Sequence, residues 1–166
     1  MKRFLLFFAV LLSLATVTLA QTTEVWIVRH AEKDTSNPNE KDPNLSEEGK
    51  IRAGDLAIYL KKVKFDAAFS TPYKRTHQTL DSLIIPKVIN YNDIKSLVDS
   101  VQMNFAGKTV IIAAHSNTLL EIIEAFGGKR PMEMLTDDDY DYIFRLSVKE
   151  DKAKVKKDQF GRPHHL

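Results

Sequence analysis

Glu24-Val25-Trp26-Ile27-Val28-Arg29-His30-Ala31-Glu32 is the stretch on which the fold turns. Val25, Trp26, Ile27 and Val28 are β-branched or aromatic, and a short apolar run of this kind predicts a strand buried on both faces, as in a parallel sheet. Arg29 and His30 fall where that strand ends. In open α/β sheets ligands bind just beyond the carboxyl ends of the strands, so a cation and an imidazole delivered there are placed for chemistry. A solvated arginine beside a hydrogen-bonded loop histidine reads the same way in isolation. The functional reading gains its weight from two further strand ends that carry the same residue types.

The first of these closes Phe65–Ser70, a second short apolar run that stops at Thr71-Pro72. Helical spacing follows from Tyr73 to Leu83 and puts Lys74, Arg75 and His77 in the first turns. Arg75 is thus near a helix start at a strand's carboxyl end, a position that collects anions. The second closes Thr109–Ala114, T-V-I-I-A-A, the clearest buried strand in the chain. It runs into His115-Ser116-Asn117-Thr118 and a helix over Leu119–Phe126 that Gly127-Gly128 ends. His115 therefore repeats the arrangement of His30.

The remaining segments complete an alternation of strands and helices. Asp34–Asn44, with Pro38 and Pro43, reads as a loop over the end of the first strand. Ser46 caps a helix that reaches about Leu60, with Glu47 and Glu48 in its first turn and Ile51, Ala53, Leu56, Ala57 and Leu60 as its apolar face. Lys87–Tyr91 is a third strand and Asp93–Met103 a helix. Asp137–Asp141 reads as an acidic, solvated turn without calcium-loop spacing. Tyr142–Val148 and Ala153–Lys157 form a hairpin whose lysines protect an exposed edge. The predicted fold is α/β, a three-layer α/β/α sandwich with a mostly parallel central sheet and a C-terminal edge hairpin.

Of the 166 residues, the first 20 read as a signal peptide: Met1-Lys2-Arg3, an apolar run from Phe4 to Leu12, and a cut after Ala20; the rival is a retained membrane anchor, for which the run is short and diluted by Ser13, Thr16 and Thr18. Residues 21–166 then make one domain, with a loose tail from about residue 159, exported to a periplasm or the medium. The precursor holds 24 Lys and Arg against 22 Asp and Glu. The leader takes Lys2 and Arg3 and no acidic residue with it, which leaves 22 of each, so the charge balance gives no support to nucleic-acid binding. No cysteine is present. The domain is therefore held by core packing without disulfides, and lipid-modified cysteine and thiolate metal sites are excluded.

Arg29, His30, Arg75 and His115 thus stand at the ends of the first, second and fourth strands. Two permanent cations, two imidazoles and no thiol, Walker loop or carboxylate cluster suit a multiply charged oxyanion, and phosphate fits best. R-H-A-E at 29–32, S-T-P-Y-K-R-T-H-Q-T at 70–79 and A-H-S-N-T at 114–118, in this order, resemble the three signature segments of the histidine phosphatase superfamily, the phosphoglycerate mutase-like proteins.

That resemblance implies a phosphomonoesterase in which His30 is the nucleophile and forms a phosphohistidine. It assigns the phosphoryl oxygens to Arg29, Arg75 and His115, with Ser116 and Asn117 beside them. It implies no metal and no cofactor and a small phosphorylated substrate; the charge balance and the cleaved leader point to no nucleic-acid or membrane partner, and the sequence shows no obligate protein partner. Where the family often carries Gly after the first His and Asn six residues beyond it, this chain has Ala31 and Ser36, with Asn37 adjacent. The interval Thr76–Ala114 holds one strand and one helix, so a cap domain is missing or minimal. An open site of this kind favours hydrolysis over a mutase reaction that must retain its intermediate. The candidates for an acid on the leaving oxygen are Asp93 and Glu32. The alternatives are a non-catalytic phosphate- or phosphosugar-binding module on the same scaffold, and a metal-binding or adhesion protein using His30 and His115.

Overall fold

β1 (Thr23–Arg29) lies inside a six-stranded sheet, paired in parallel with β4 (Thr109–Ala114) and antiparallel with β5 (Tyr142–Lys149). The computed structural model describes residues 21–163, so the leader expected over residues 1–20 and the pair His164 and His165 lie outside the described residues. β2 (Ala67–Ser70) pairs in parallel with the other side of β4, β3 (Val88–Asn90) follows in parallel, and β6 (Lys152–Gln159) closes the opposite edge antiparallel to β5. The order β3-β2-β4-β1-β5-β6 is the mostly parallel sheet with an edge hairpin that the sequence predicts.

Burial explains why these residues form these strands. Val25, Ile27, Val110 and Ile112 face one side of the sheet and pack with α3 (Ile94–Asn104) and α4 (Leu119–Ala125). Val28, Ile111 and Ala113 face the other and pack with Leu56 of α1 (Glu47–Tyr59) and Leu80 of α2 (Lys74–Leu80). Each fully buried aliphatic side chain contributes about 1.5–3 kcal/mol of transfer free energy, so two cores, one on each face, secure the three layers.

The helix ends follow local chemistry. Ser46 accepts from the N–H of Gly49 as the N-cap of α1, and Asp93 accepts from that of Ser96 as the N-cap of α3. Gly127 stops α4 at a positive φ of 76°, its N–H bonded to Glu124 O while Gly128 N–H reaches Ile123 O, which is a Schellman ending.

Three expectations need correction. On α1, Ile51 is half exposed and Arg52 is buried in its place, because Arg52 has an anionic partner beneath the helix. The acidic turn is not solvated throughout: Asp139 and Asp141 are buried, since the turn folds back onto the end of β1. The C-terminal segment is not loose as far as residue 163. Gln159 belongs to β6, and Phe160 is 4% exposed, packs with Leu56 and Leu60 and donates its N–H to Asp141 O. Among the described residues, no helix is long and apolar enough to cross a membrane.

Candidate active site

Register brings the two imidazoles together. The β1–β4 ladder pairs Arg29 with Ala114 and continues one step further, His30 N–H donating to Ala114 O at 2.9 Å, so the residues that follow both strands emerge side by side. The rings of His30 and His115 stand edge to face with centroids 5.2 Å apart. The segment after His30 is pinned from three directions. Ala31 N–H donates to Thr79 Oγ1 on α2, and Ser46 N–H donates to Glu32 O. A Cβ on Gly49 would sit 2.1 Å from that same Glu32 oxygen, so the first turn of α1 can approach this closely only with glycine.

His30 is held in one tautomer. Its Nδ1 lies 2.8 Å from Ala31 O, and because a carbonyl can only accept, Nδ1 carries the hydrogen and Nε2 of the neutral ring carries the lone pair. Burial first, and then electrostatic coupling to His115, Arg75 and Arg29, hold the pKa of His30 down to about 3, against the bond to Ala31, which raises it. His115 is lowered to about 4 by burial and by Arg75 and Arg29. Both rings are therefore neutral at pH 7, which a nucleophilic imidazole requires.

Each arginine rests on a tyrosine that also flanks one of the histidines. The Arg29 guanidinium lies 3.9 Å from the centre of the Tyr140 ring, which is 6.2 Å from that of His30. Arg75 lies 4.3 Å from the centre of the Tyr73 ring, which is 5.5 Å from that of His115. Nη1 of Arg29 donates to the carbonyls of Thr136 and Asp137 at 2.9 and 3.0 Å and, more weakly, to that of Asp139 at 3.4 Å. The Asp139 carboxylate shapes that turn by accepting from the N–H and hydroxyl of Thr136. Nη1 of Arg75 is 3.9 Å from Asp42, whose carboxylate also accepts from Lys74 N–H at the start of α2.

The Nε atoms of Arg29 and Arg75 are both buried without a hydrogen-bond acceptor among the described residues. An unmet buried donor costs about 1–3 kcal/mol, and more when charged, so an oxyanion between these groups would recover a penalty the free protein carries. α2 and α4 have seven residues each, so the fixed guanidinium groups, more than long helix dipoles, set the positive field here.

The other residues expected at the site divide. Ser116 and Asn117 line a cavity of about 240 Å³ with Leu120, Arg130, Met134 and Leu135, next in the chain to His115. Asp93 is spent on its cap and is exposed, with bonds from Ser96 N–H and Ser96 Oγ holding its carboxyl below the usual range. Glu32 is bound to Arg52. Neither is poised as an acid. Asn37 accepts from Asn39 N–H, closing its own turn. Among the described residues no three His, Cys, Asp or Glu side chains are grouped to hold a metal ion.

Sequence reasoning missed Tyr73, Tyr140 and Asp139, and also Thr71, whose hydroxyl is 3.0 Å from Nε2 of His115. Thr71 and Tyr73 fall inside the segment S-T-P-Y-K-R-T-H-Q-T at 70–79, but the segment itself gives neither a role. Tyr140 has no local signal, since its neighbours are acidic and its role comes from the return of a distant turn.

The model of the histidine phosphatase superfamily (branch 1) matches residues 25–92, a span that takes in Arg29, His30 and Arg75 and ends before His115. None of the curated proteins matches the sequence. Among solved structures, the protein histidine phosphatase SixA complexed with tungstate is similar over 82% of this chain and 96% of its own, at 16% identity and a TM-score of 0.68. YhfR of Bacillus stearothermophilus is similar over 86% and 98%, at 16% identity and a TM-score of 0.66. A phosphoserine phosphatase from Entamoeba histolytica in complex with phosphoserine is similar over 87% and 100%, at 15% identity and a TM-score of 0.61. At these identities the likenesses speak for the fold. The match to the histidine phosphatase superfamily model runs through the first three strands, and the fold is shared across nearly the whole described chain with solved histidine phosphatases, so the chain is similar to this superfamily in sequence over that span and in fold throughout.

Proposed function

We propose that this protein is a phosphomonoester hydrolase that works through a phosphohistidine on His30. The observation that carries the reading is the pairing of a neutral His30 with its lone pair on Nε2 and two buried guanidinium Nε–H groups without acceptors among the described residues. Attack by Nε2 on phosphorus displaces the alcohol or its equivalent, and water then attacks the phosphohistidine to release phosphate. Arg29, Arg75 and His115 surround the phosphoryl oxygens as charge builds on them, the largest contribution that phosphoryl transfer asks of a protein. Ser116 and Asn117, in the side cavity with Arg130, bear on the departing part of a small substrate.

The commitment of Glu32 and Asp93 to other partners bears on substrate class. With both of these carboxylates engaged elsewhere, groups that depart easily are favoured, such as aryl oxides or the imidazole of a phosphorylated histidine. The relative whose structure is a protein histidine phosphatase supports the same reading. We also read residues 1–20 as an export signal, on their sequence pattern alone. The amino-terminal sequence of protein recovered from the periplasm would begin at Gln21, and recovery of the uncut chain from the cytoplasm would refute export.

The test of the reaction is turnover of p-nitrophenyl phosphate, abolished in His30→Ala, with alkaline quench during turnover of a radiolabelled ester. Label should sit on the peptide containing His30, stable in alkali and lost in acid. Phosphate binding without turnover would favour the non-catalytic binding module, and turnover surviving in His30→Ala would refute the nucleophile.

A further inference from the structure

We propose that Thr71 is a positioning residue that fixes the hydrogen of His115 on Nε2, so that the proton this ring gains when it binds a phosphoryl group goes to Nδ1. The assignment deepens the phosphatase reading and rests on it only for the effect on turnover. The tautomer itself is a property of the free protein.

The register supplies the contact. β2 pairs Ser70 with Ala113 of β4, so the residue after Ser70 arrives beside the end of β4, and Thr71 Oγ1 lies 3.0 Å from Nε2 of His115. Counting hydrogens favours one direction. Thr76 Oγ1 lies 2.8 Å from Tyr73 O and 3.0 Å from Thr71 O, both of which only accept, so two carbonyls offer a place for the single hydroxyl hydrogen of Thr76. Thr71 Oγ1 is 2.9 Å from Thr76 Oγ1, a contact in which either hydroxyl can donate, and with the Thr76 hydrogen on a carbonyl the hydrogen between the two oxygens comes from Thr71. Thr71 then has only lone pairs to offer His115, and Nε2 carries the hydrogen. Thr76 is fully buried, so solvent does not compete at the end of this relay.

The consequence is a pair of touching imidazoles in opposite tautomers: His30 with its lone pair on Nε2 and His115 with its lone pair on Nδ1. The charged and titratable groups facing His115 are Arg29 and His30 from the end of β1, Arg75 from α2 and Tyr73 ahead of it. Among the described residues those that carry charge are cationic and the others are neutral, so the ring stays neutral when the site is free. A phosphate dianion reverses the local field. The ring then takes one proton from solvent at Nδ1 on binding and returns it on release.

The test is a long-range ¹⁵N–¹H correlation spectrum of the whole ¹⁵N-histidine-labelled chain, free at pH 7 and then with inorganic phosphate. Expected are protonation of His115 at Nε2 alone in the free protein, a second proton at Nδ1 with phosphate, and a matching proton uptake by calorimetry in two buffers of different ionisation enthalpy. Thr71→Val should give mixed tautomers and lower kcat/KM on the order of tenfold or more, with a shifted pH profile. Thr71→Ser should restore both. Finding His115 protonated at Nδ1 in the free parent protein, or Thr71→Val with the parent's tautomer and pH profile, would overturn the proposal. If Thr71→Val does not fold, the spectrum of the parent protein decides. A protein that shows the tautomer but never turns over an ester would refute the phosphatase reading and leave this one standing.

Discussion

Glu32 Oε1 accepts twice from Arg52, from Nε and from Nη2, each at 2.7 Å, with both side chains largely out of solvent. Arg52 also donates to Arg162 O. The carboxylate beside the nucleophile is thus part of a buried ion pair that ties α1 to the segment carrying His30. Breaking such a pair leaves an uncompensated charge and costs about 3–5 kcal/mol. Glu32→Ala should lose stability on that scale in urea unfolding, while Glu32→Gln should keep kcat near that of the parent. A large fall in kcat for Glu32→Gln at parental stability would make Glu32 the missing acid instead.

Arg75 has its planar group on Tyr73 and its Nε without an acceptor among the described residues, an arrangement a lysine cannot reproduce. Removing one fixed donor from a site of this kind costs on the order of a hundredfold in kcat. Arg75→Ala should show that loss with an aryl phosphate, and Arg75→Lys should recover little of it. Asp42→Ala should change kcat far less, since Asp42 is 3.9 Å from the guanidinium and serves the start of α2 as well.

The two histidines link stability to pH. Unfolded, each titrates near 6.5; folded, His30 is lowered to about 3 and His115 to about 4. Between those values the unfolded chain binds more protons. The contribution is therefore fully present above about pH 6.5 and is lost as pH falls from there toward 3, at no more than about 1.4 kcal/mol per pH unit for each ring. His30, the more deeply buried, should carry the larger share. Urea unfolding from pH 7 to 4 should show this fall, and His30→Ala should flatten it. A slope unchanged in that variant would place the linked groups elsewhere.

Arg29 owes its position to carbonyls, and the carbonyls owe theirs to Asp139, which accepts from both the N–H and the hydroxyl of Thr136. Asp139→Ala would leave buried donors unmet at a cost of about 1–3 kcal/mol. It should also release Arg29 and raise KM for an aryl phosphate. Asp139→Asn, which keeps an acceptor, should retain most of the affinity. Equal KM values in Asp139→Ala and the parent would show that Arg29 holds its place without the turn.

What could be read in advance, and what could not, separates along the range of the forces involved. β4 was legible because Thr109–Ala114 is unbroken in β-branched and small apolar residues, and the helix starts at Ser46 and Asp93 because a cap is a local hydrogen bond. His30, Arg29, Arg75 and His115 were legible because strand ends mark the rim of a parallel sheet. Asp139 and Tyr140 were not. Their role depends on a turn more than a hundred residues from Arg29 folding back onto it, and their local sequence looks like any solvated acidic turn. Arg52 was hidden for a similar reason: a charge at a buried helix position makes sense only once its partner, twenty residues upstream, is known.

Phe160 carries the same lesson into the last segment. It is 4% exposed, its ring centre is 6.3 Å from that of Tyr59, and its N–H bonds to Asp141 O. Two residues later Arg162 offers its carbonyl to Arg52, the partner of Glu32. The segment thus seals the core between the sheet and α1 and supports the ion pair next to the nucleophile. Phe160→Ala should cost about 3–5 kcal/mol. Ending the chain after Gln159 should cost at least as much, because it also removes the bond from Arg52. Both should be read as lowered urea midpoints, with kcat at low temperature nearly unchanged because no reacting group is touched. A truncated protein as stable as the full chain would show that the core closes without Phe160.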